Sequence, residues 1–338
     1  MGRIRVVQHL EEEDWRNFVE ACPTGNIFHT PEMFQVYART KDFKPTLWAA
    51  VNDTNRPLAL FMPVQISLFN GLMRRFSTRA IAYGSVLCTP DPEGKEALTM
   101  LLDAYNRENR NTALFTELRN LSNLEDVQPI LREHGFIYED HLNYLIDLKC
   151  SPEEILNSIG RRTRKNIRRG LRQGSVQIEV MDDRKNISPC YDLLRQVYKS
   201  ARVPLADQSL FESSYDLLYP KGMMLVTLAR VGEAVAAVSL ELLYKGTIYG
   251  WYGGTDRAYG SYVPNEILMW HILSWGAEHG YRYYDFGGAG KPDEDYGVRD
   301  FKAKFGGELV SFGRNIRVHS PRLLLFSKIG YSVLRRFL

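Results

Sequence analysis

YGWYGGTDRAYGSYVPNEILMWHILSWGAEHGYRYYDFGG (Tyr249 to Gly288), an acidic loop, and GVRDFKAKFGG (Gly297 to Gly307) form the stretch whose reading decides the fold. It joins a strand ending in glycines, an amphipathic helix, a second strand ending in Asp285-Phe286-Gly287-Gly288, and a basic-aromatic turn around Lys302. Pro264 takes a favoured first helical position and Gly280 a stop just past the helix end. Between them Ile267, Leu268, His271, Ile272 and Trp275 recur at helical spacing. Strand, helix and strand in that order predict a site for an anionic substrate at the end of a sheet.

Outward from this stretch, the second half of the chain predicts a helix over Pro152–Gln173, broken or ended near Gly170–Gly174. Helices follow at Ser188–Ala201 and Ser209–Tyr219, then strands at Met224–Arg230, Ala234–Tyr244 and Thr247–Tyr252. The first half repeats the plan. Helices read at Glu11–Cys22, Pro31–Arg39 and Gly94–Asn106, and strands at Thr46–Val51, Leu58–Leu68, Ala80–Val86, Leu114–Leu118 and Tyr144–Leu148. Ala82-Tyr83-Gly84-Ser85 and Tyr252-Gly253-Gly254-Thr255 each precede a loop, a helix and a strand at matched spacing, so a duplicated domain is expected. The expected division is 1–148, 149–318 and an amphipathic helix over 319–338.

Composition narrows the class. With 338 residues, 44% hydrophobic and 25% charged, the chain reads as an ordinary soluble protein of two domains. Cys22, Cys88, Cys150 and Cys190 show no CxxC spacing, which argues against a disulfide framework or structural zinc and fits a reducing cytoplasm. The start MGRIRVVQHLEEEDW lacks the apolar segment of a signal peptide, and Val6 stands where myristoylation wants Ser or Thr. No apolar run approaches the roughly 20 residues that span a bilayer. A cytoplasmic location is expected. The tail PRLLLFSKIGYSVLRRFL leaves two readings open: it packs on its domain, or it lies at the inner membrane face against anionic lipid.

Charge is concentrated. RRTRKNIRRGLRQG, 161–174, holds seven basic and no acidic residues. Without it the chain has 36 basic against 40 acidic residues, net −4, beside +3 for the whole. As a helix it places Ile155, Ile159, Thr163, Ile167 and Leu171 along one drifting face, and Arg161, Arg164, Lys165, Arg168 and Arg172 on neighbouring faces. Without acidic residues for i, i+4 pairing these cations repel one another, which suits a phosphate-bearing partner. No DNA partner is expected.

Around Lys302, a helical turn over Val298–Phe305 would put Val298, Phe301 and Phe305 on one anchoring face and Lys302 about 100° away. A lysine so placed suits a phosphate or a developing oxyanion. Asp285 reads either as a base or as a cap of the glycine turn behind it. Arg257-Ala-Tyr-Gly260-Ser-Tyr262 matches only the first half of a pyrophosphate-cradling turn, with Tyr262 where a small residue belongs. No Ser-His-Asp, Walker or HExxH pattern occurs, and neither a metal nor a bound cofactor is expected.

These parts together resemble the FemAB-type peptidyl and aminoacyl transferases, and the fold implied is α/β (α+β): two GCN5-related N-acetyltransferase-like domains in tandem. No heptad insertion of coiled-coil length exists, so the resemblance is to the armless variety. It rests on Tyr284-Asp285-Phe286-Gly287-Gly288, on Gly297-x-x-x-Phe301-Lys302, and on the basic helix with its Arg164-Lys165-Asn166 core. It implies that Lys302, with Asp285, serves the reaction. Substrate contacts are expected from Arg161, Arg164, Lys165, Asn166, Arg168, Trp251, Tyr252, Arg299 and Phe301. It further implies an aminoacyl or acyl transferase that forms an amide on a phosphate-bearing envelope precursor, with aminoacyl-tRNA as donor. An acyl-CoA-dependent N-acyltransferase, and a non-catalytic RNA- or membrane-surface binding protein, are the alternatives. The first domain departs from the family, with Cys88 where an aspartate is usual and Asp91 or Glu117 as the replacements the sequence offers.

Overall fold

The computed structural model describes residues 3–67, 74, 76–109 and 112–325. The expected tail helix lies outside them from residue 326 onward, as does Leu68. The chain forms two compact units, 1–140 with 312–338, and 141–311.

In the first unit, a four-stranded sheet (Arg5–Val7, Trp48–Val51, Pro57–Phe61, Val86–Cys88) and a six-stranded one (Phe43–Pro45, Val64–Ile66, Arg79–Tyr83, Phe115–Arg119, Arg314–Val318, Ile137–Glu139) share the strands. Two runs expected as single strands each split between the sheets. Met62-Pro63 interrupts the first, since proline supplies no ladder donor. Gly84 and Ser85, at φ 80° and 73°, turn the second. The helix Pro92–Glu108 buries Ala97, Leu98, Leu101, Leu102 and Tyr105 against Trp48, Leu58 and Phe61, as its periodicity predicts.

In the second unit, β1 (Leu142–Asp147), β2 (Gln177–Val180), β3 (Met224–Val231), β4 (Ala234–Tyr244), β5 (Thr247–Thr255), β6 (Tyr283–Gly288) and β7 (Glu308–Ser311) form one sheet, in the order β2-β3-β4-β5-β6-β1-β7. Every neighbouring pair is antiparallel except β5 and β6. Helices α1 (Pro152–Ser158), α2 (Arg161–Gln173), α3 (Ile187–Ala201), α4 (Gln208–Leu218), α5 (Pro264–Glu278) and α6 (Gly297–Ala303) complete it. Ile155, Ile159, Ile167, Leu268, Ile272, Ile248 and Tyr284 form one core with α1, α2 and α5 on the same face of the sheet. On the other face Leu240 meets Cys190, Leu194 and Phe211 from α3 and α4.

The long helix expected over Pro152–Gln173 is two helices, parted at Ile159-Gly160. It runs through Gly170 and ends at Gly174, which takes the left-handed cap at φ 65°. Gly170 is where α2 meets α5: a Cβ there would lie 2.5 Å from Ile267 Cδ1 and 3.2 Å from Val263 Cγ2. The buried stripe is therefore Thr163, Ile167 and Gly170, and Leu171, expected on it, is 50% exposed.

The unit boundaries also differ from the expected 148 and 318. Strand 142–147 pairs with β6 and β7, and strand 314–318 pairs with Phe115–Arg119 and Ile137–Glu139. Each strand thus completes the sheet of the unit that its sequence position does not suggest. Both units retain the expected echo, a single parallel strand pair flanking a helix: Arg79–Tyr83 with Phe115–Arg119, and β5 with β6.

Candidate active site

The parallel ladder between β5 and β6 ends at Tyr249 and Asp285. Strand β5 continues to Thr255 with β4 alone, so Trp251–Gly254 has no strand partner on the side where β6 lay, and Gly253 is exposed. The two strands part into a wedge. A bulge sharpens it: the register with β4 shifts between Leu240 and Glu241, leaving Trp251 as the extra residue.

Past Asp285, β6 finds its partners in α6. Lys302 is buried, and its Nζ donates to the carbonyls of Phe286 at 2.6 Å, Gly287 at 3.2 Å and Gly288 at 2.8 Å. Arg299, one turn earlier, donates to the carbonyls of Ala289 at 2.8 Å, Pro292 at 3.3 Å and Lys291. Gly290 O accepts from Leu142 N–H. Every carbonyl from 286 to 292 therefore has a donor, and two cations on one short helix supply six of the seven. Glycine is needed at 287 and 290, at φ 68° and 78°.

This corrects three expectations. Lys302 does not project as an open ammonium, because its three N–H bonds all end on carbonyl oxygens. Arg299 likewise secures its own loop. Val298 is 42% exposed and does not share in the anchoring done by Phe301 and Phe305, whose rings meet edge to face at 5.1 Å. Burial pulls the Lys302 ammonium down to about 8, with Asp285 acting against that shift.

Asp285 is buried too, and burial raises its carboxyl. Asn143 Nδ2 at 2.6 Å, Gly287 N–H at 2.7 Å and the charge of Lys302 counter that rise. The cap reading of Asp285 matches the Gly287 contact. Asn143, at a bulge in β1, was missed; an asparagine inside a strand was its only trace in the sequence.

Trp251 and Tyr252 are half-buried in an aromatic cluster. Tyr252 meets Phe211 at 4.8 Å and Tyr198 at 6.0 Å, and Trp251 meets Tyr252 at 4.9 Å. Tyr198 reaches the Gly253 backbone from α3, and Tyr296 from the loop before α6 acts on it electrostatically. Sequence reasoning missed both tyrosines, and Tyr198 brings its hydroxyl to the β5 edge at Gly253.

On α2, Arg161, Lys165, Arg168 and Arg172 fall at i, i+4, i+7 and i+11, opposite the buried stripe, in a line roughly 16 Å long. Arg161, Lys165 and Arg168 are exposed, Asn166 is half-buried, and Arg164 bonds the Asn157 carbonyl at 2.6 Å. Among the described residues no carboxylate forms an ion pair with any cation of α2. The Arg257–Tyr262 turn is a 3-10 segment capped by Asp256, and Val263 enters α5 at φ 53°.

In the first unit, Asp91 caps a helix through Gly94 N–H at 2.8 Å, and Glu117 is held by Arg119 and Arg314 at 2.9 and 2.7 Å. Burial pushes the Cys88 thiol up to about 11, away from a nucleophile. Among the described residues no group of His, Cys, Asp and Glu is placed to hold a metal ion, and no helix is long and apolar enough to cross a membrane.

Residues 158–302 match the acetyltransferase (GNAT) domain family. Lipid II:glycine glycyltransferase of Staphylococcus haemolyticus is 25% identical over 56% of this chain, and the chain spans 40% of that relative's length. Its Staphylococcus aureus (strain COL) counterpart is 22% identical over 88% of this chain and 89% of the relative. The crystal structure of FemX superposes with a TM-score of 0.72 at 16% identity, over 95% of this chain and 99% of that one. The chain therefore carries an acetyltransferase (GNAT) domain in its second unit and shares the fold of FemX along nearly its whole length.

Proposed function

We propose that the chain transfers an aminoacyl group from aminoacyl-tRNA to an amine of a phosphate-bearing peptidoglycan precursor, of the kind named in the lipid II:glycine glycyltransferases it resembles. The observation that carries this reading is the wedge past Tyr249 and Asp285, with the β5 edge that β6 no longer pairs on one side and the Lys302 ammonium on the other. An acyl group laid along β5 past Tyr249, where no strand pairs with it on the β6 side, would have its carbonyl oriented there for attack. The acceptor amine adds to that carbonyl, the C–N bond forms, and the ester C–O bond breaks as the ribose oxygen takes a proton. Lys302 acts here by holding the 286–288 turn and by its charge at the wedge, which favours the oxyanion.

The tRNA donor is favoured over acyl-CoA by the covering of the α5 N-terminus. Val263 and Ile267 there lie under α2, which offers a line of cations suited to a polyphosphate backbone. The test is to incubate the protein with tRNA charged with labelled amino acids and with lipid II. Label is expected on lipid II in an alkali-stable amide. Labelling from acetyl-CoA alone would favour the N-acyltransferase, and RNA binding without transfer would favour a binding protein.

A further inference from the structure

Strand β4, AVAAVSLELLY, is paired on both sides and holds one acidic residue, Glu241. Its side chain is fully buried, in a layer with Ala237, Leu243, Ile248 and Ile272. A carboxyl there needs a reason, because an apolar side chain would fill the space at lower cost. Ser239 Oγ donates to Oε1, while Oε2 has no hydrogen-bond partner. Among the described residues no cation bears on it, and burial pushes its carboxyl up to about 8.

Its position adds to the case. Glu241 pairs across the ladder with Gly250, beside the bulge and one residue past the last β5–β6 contact. A Cβ on Gly250 would lie 2.5 Å from the Tyr284 hydroxyl, so glycine leaves room for that hydroxyl on the face that Glu241 shares. Tyr284 is buried, and its hydroxyl is held well above the usual phenol range by burial first and then by Glu241, Asp285 and Tyr249.

We infer that Glu241 and Tyr284 form a buried proton relay at the apex of the wedge, which supplies a proton to the leaving oxygen and recovers one from the attacking nitrogen. The inference rests on the transferase reading above. The neutral carboxylic acid protonates the Tyr284 oxygen as Tyr284 gives its own proton to the ribose oxygen of the breaking ester. The reverse shift restores both groups when the new C–N bond sheds its extra proton, so nothing is consumed. Glu241 acts through Tyr284 and is a positioning residue. Around it are Ser239 from its own strand, Leu225 across the β3 ladder with Thr227 opposite Ser239, and Tyr284 from β6, with Asp285 and Tyr249 beyond Tyr284. Helix α5 covers this face with Leu268 and Ile272, and carries His271, lowered by burial.

Two measurements on the full chain test this, with Glu241→Gln and Tyr284→Phe. Infrared difference spectra between about pH 6 and about pH 10 are expected to show a buried carboxylic acid losing its proton. That band should vanish in Glu241→Gln and titrate at a different pH in Tyr284→Phe. Transfer from labelled aminoacyl-tRNA to lipid II should fall about 100-fold in kcat in either variant, with KM kept and no loss of melting temperature. The pH dependence above neutrality should flatten in Glu241→Gln. Full-rate transfer by Glu241→Gln, or a band indifferent to Tyr284→Phe, overturns the relay. A wild-type chain inactive with every donor, but with the two groups coupled in the infrared, instead sinks the transferase reading and leaves the coupled pair standing.

Discussion

Lys302 has the chemistry of a substrate-binding cation and the contacts of a structural one. Its three donors fix the carbonyls of Phe286, Gly287 and Gly288. Lys302→Met keeps the apolar stem but leaves those acceptors unpaired, so destabilisation of about 3 kcal/mol and loss of transfer are expected, read by denaturant midpoint and by kcat. With its pKa lowered to about 8, the unfolded chain binds the proton more tightly, and stability from this group rises as pH climbs from 8 towards the unfolded value. Glu241 has the opposite sign. Its carboxyl, raised to about 8, lets the unfolded chain ionise first, so stability falls as pH rises from the ordinary glutamate range through 8. Glu241→Gln should match wild type at pH below that range and exceed it by a few kcal/mol, on the order of two to four, above pH 8. A stability difference independent of pH would contradict the buried acid. Glu241 was legible in the sequence as the one charge in an apolar strand. The partners of Lys302 were not, because spacing reports which face a side chain takes and not whether backbone carbonyls turn to meet it.

At the scale of the element, α2 carries the basic charge in a geometry its sequence only half discloses. Glycine would mark a helix stop by propensity, yet Gly170 sits mid-helix because α5 comes too close for a Cβ. That approach moves the buried stripe off Leu171. Gly170→Leu should therefore cost about 1–3 kcal/mol in thermal or chemical unfolding, a penalty that an unpacked helix would not show. Replacing Arg161, Lys165, Arg168 and Arg172 together by Gln should leave melting unchanged or higher, since their mutual repulsion is removed. The same change should lower the salt dependence of RNA binding by up to four phosphate contacts. An unaltered salt slope would remove α2 from the binding surface. The split strands of the first unit were illegible for a different reason: Pro63 and Gly84 were visible in the sequence, but two segments of one apolar run gave no sign of joining different sheets.

At the scale of the whole molecule, the duplicated plan was legible in Ala82–Ser85 and Tyr252–Thr255, and the exchange of closing strands was not, since strands β1 and 314–318 carry no label for the sheet they join. A fragment 141–311 should unfold cooperatively, whereas 149–311 lacks the strand between β6 and β7 and should not fold, as circular dichroism melting would report. The units also differ where they echo each other. In the first, Gly84 N–H bonds Arg119 O and carries the parallel pair past its turn. In the second, the pair parts after Tyr249 and Asp285, which leaves β5 without a strand partner on that side. The proposed acyl transfer accordingly belongs to the second unit. The direct test is the full chain with labelled aminoacyl-tRNA and lipid II, beside Lys302→Met. The account predicts alkali-stable label on lipid II with wild type and almost none with the variant. Label that stays on tRNA with wild type, or equal transfer by both proteins, would contradict it.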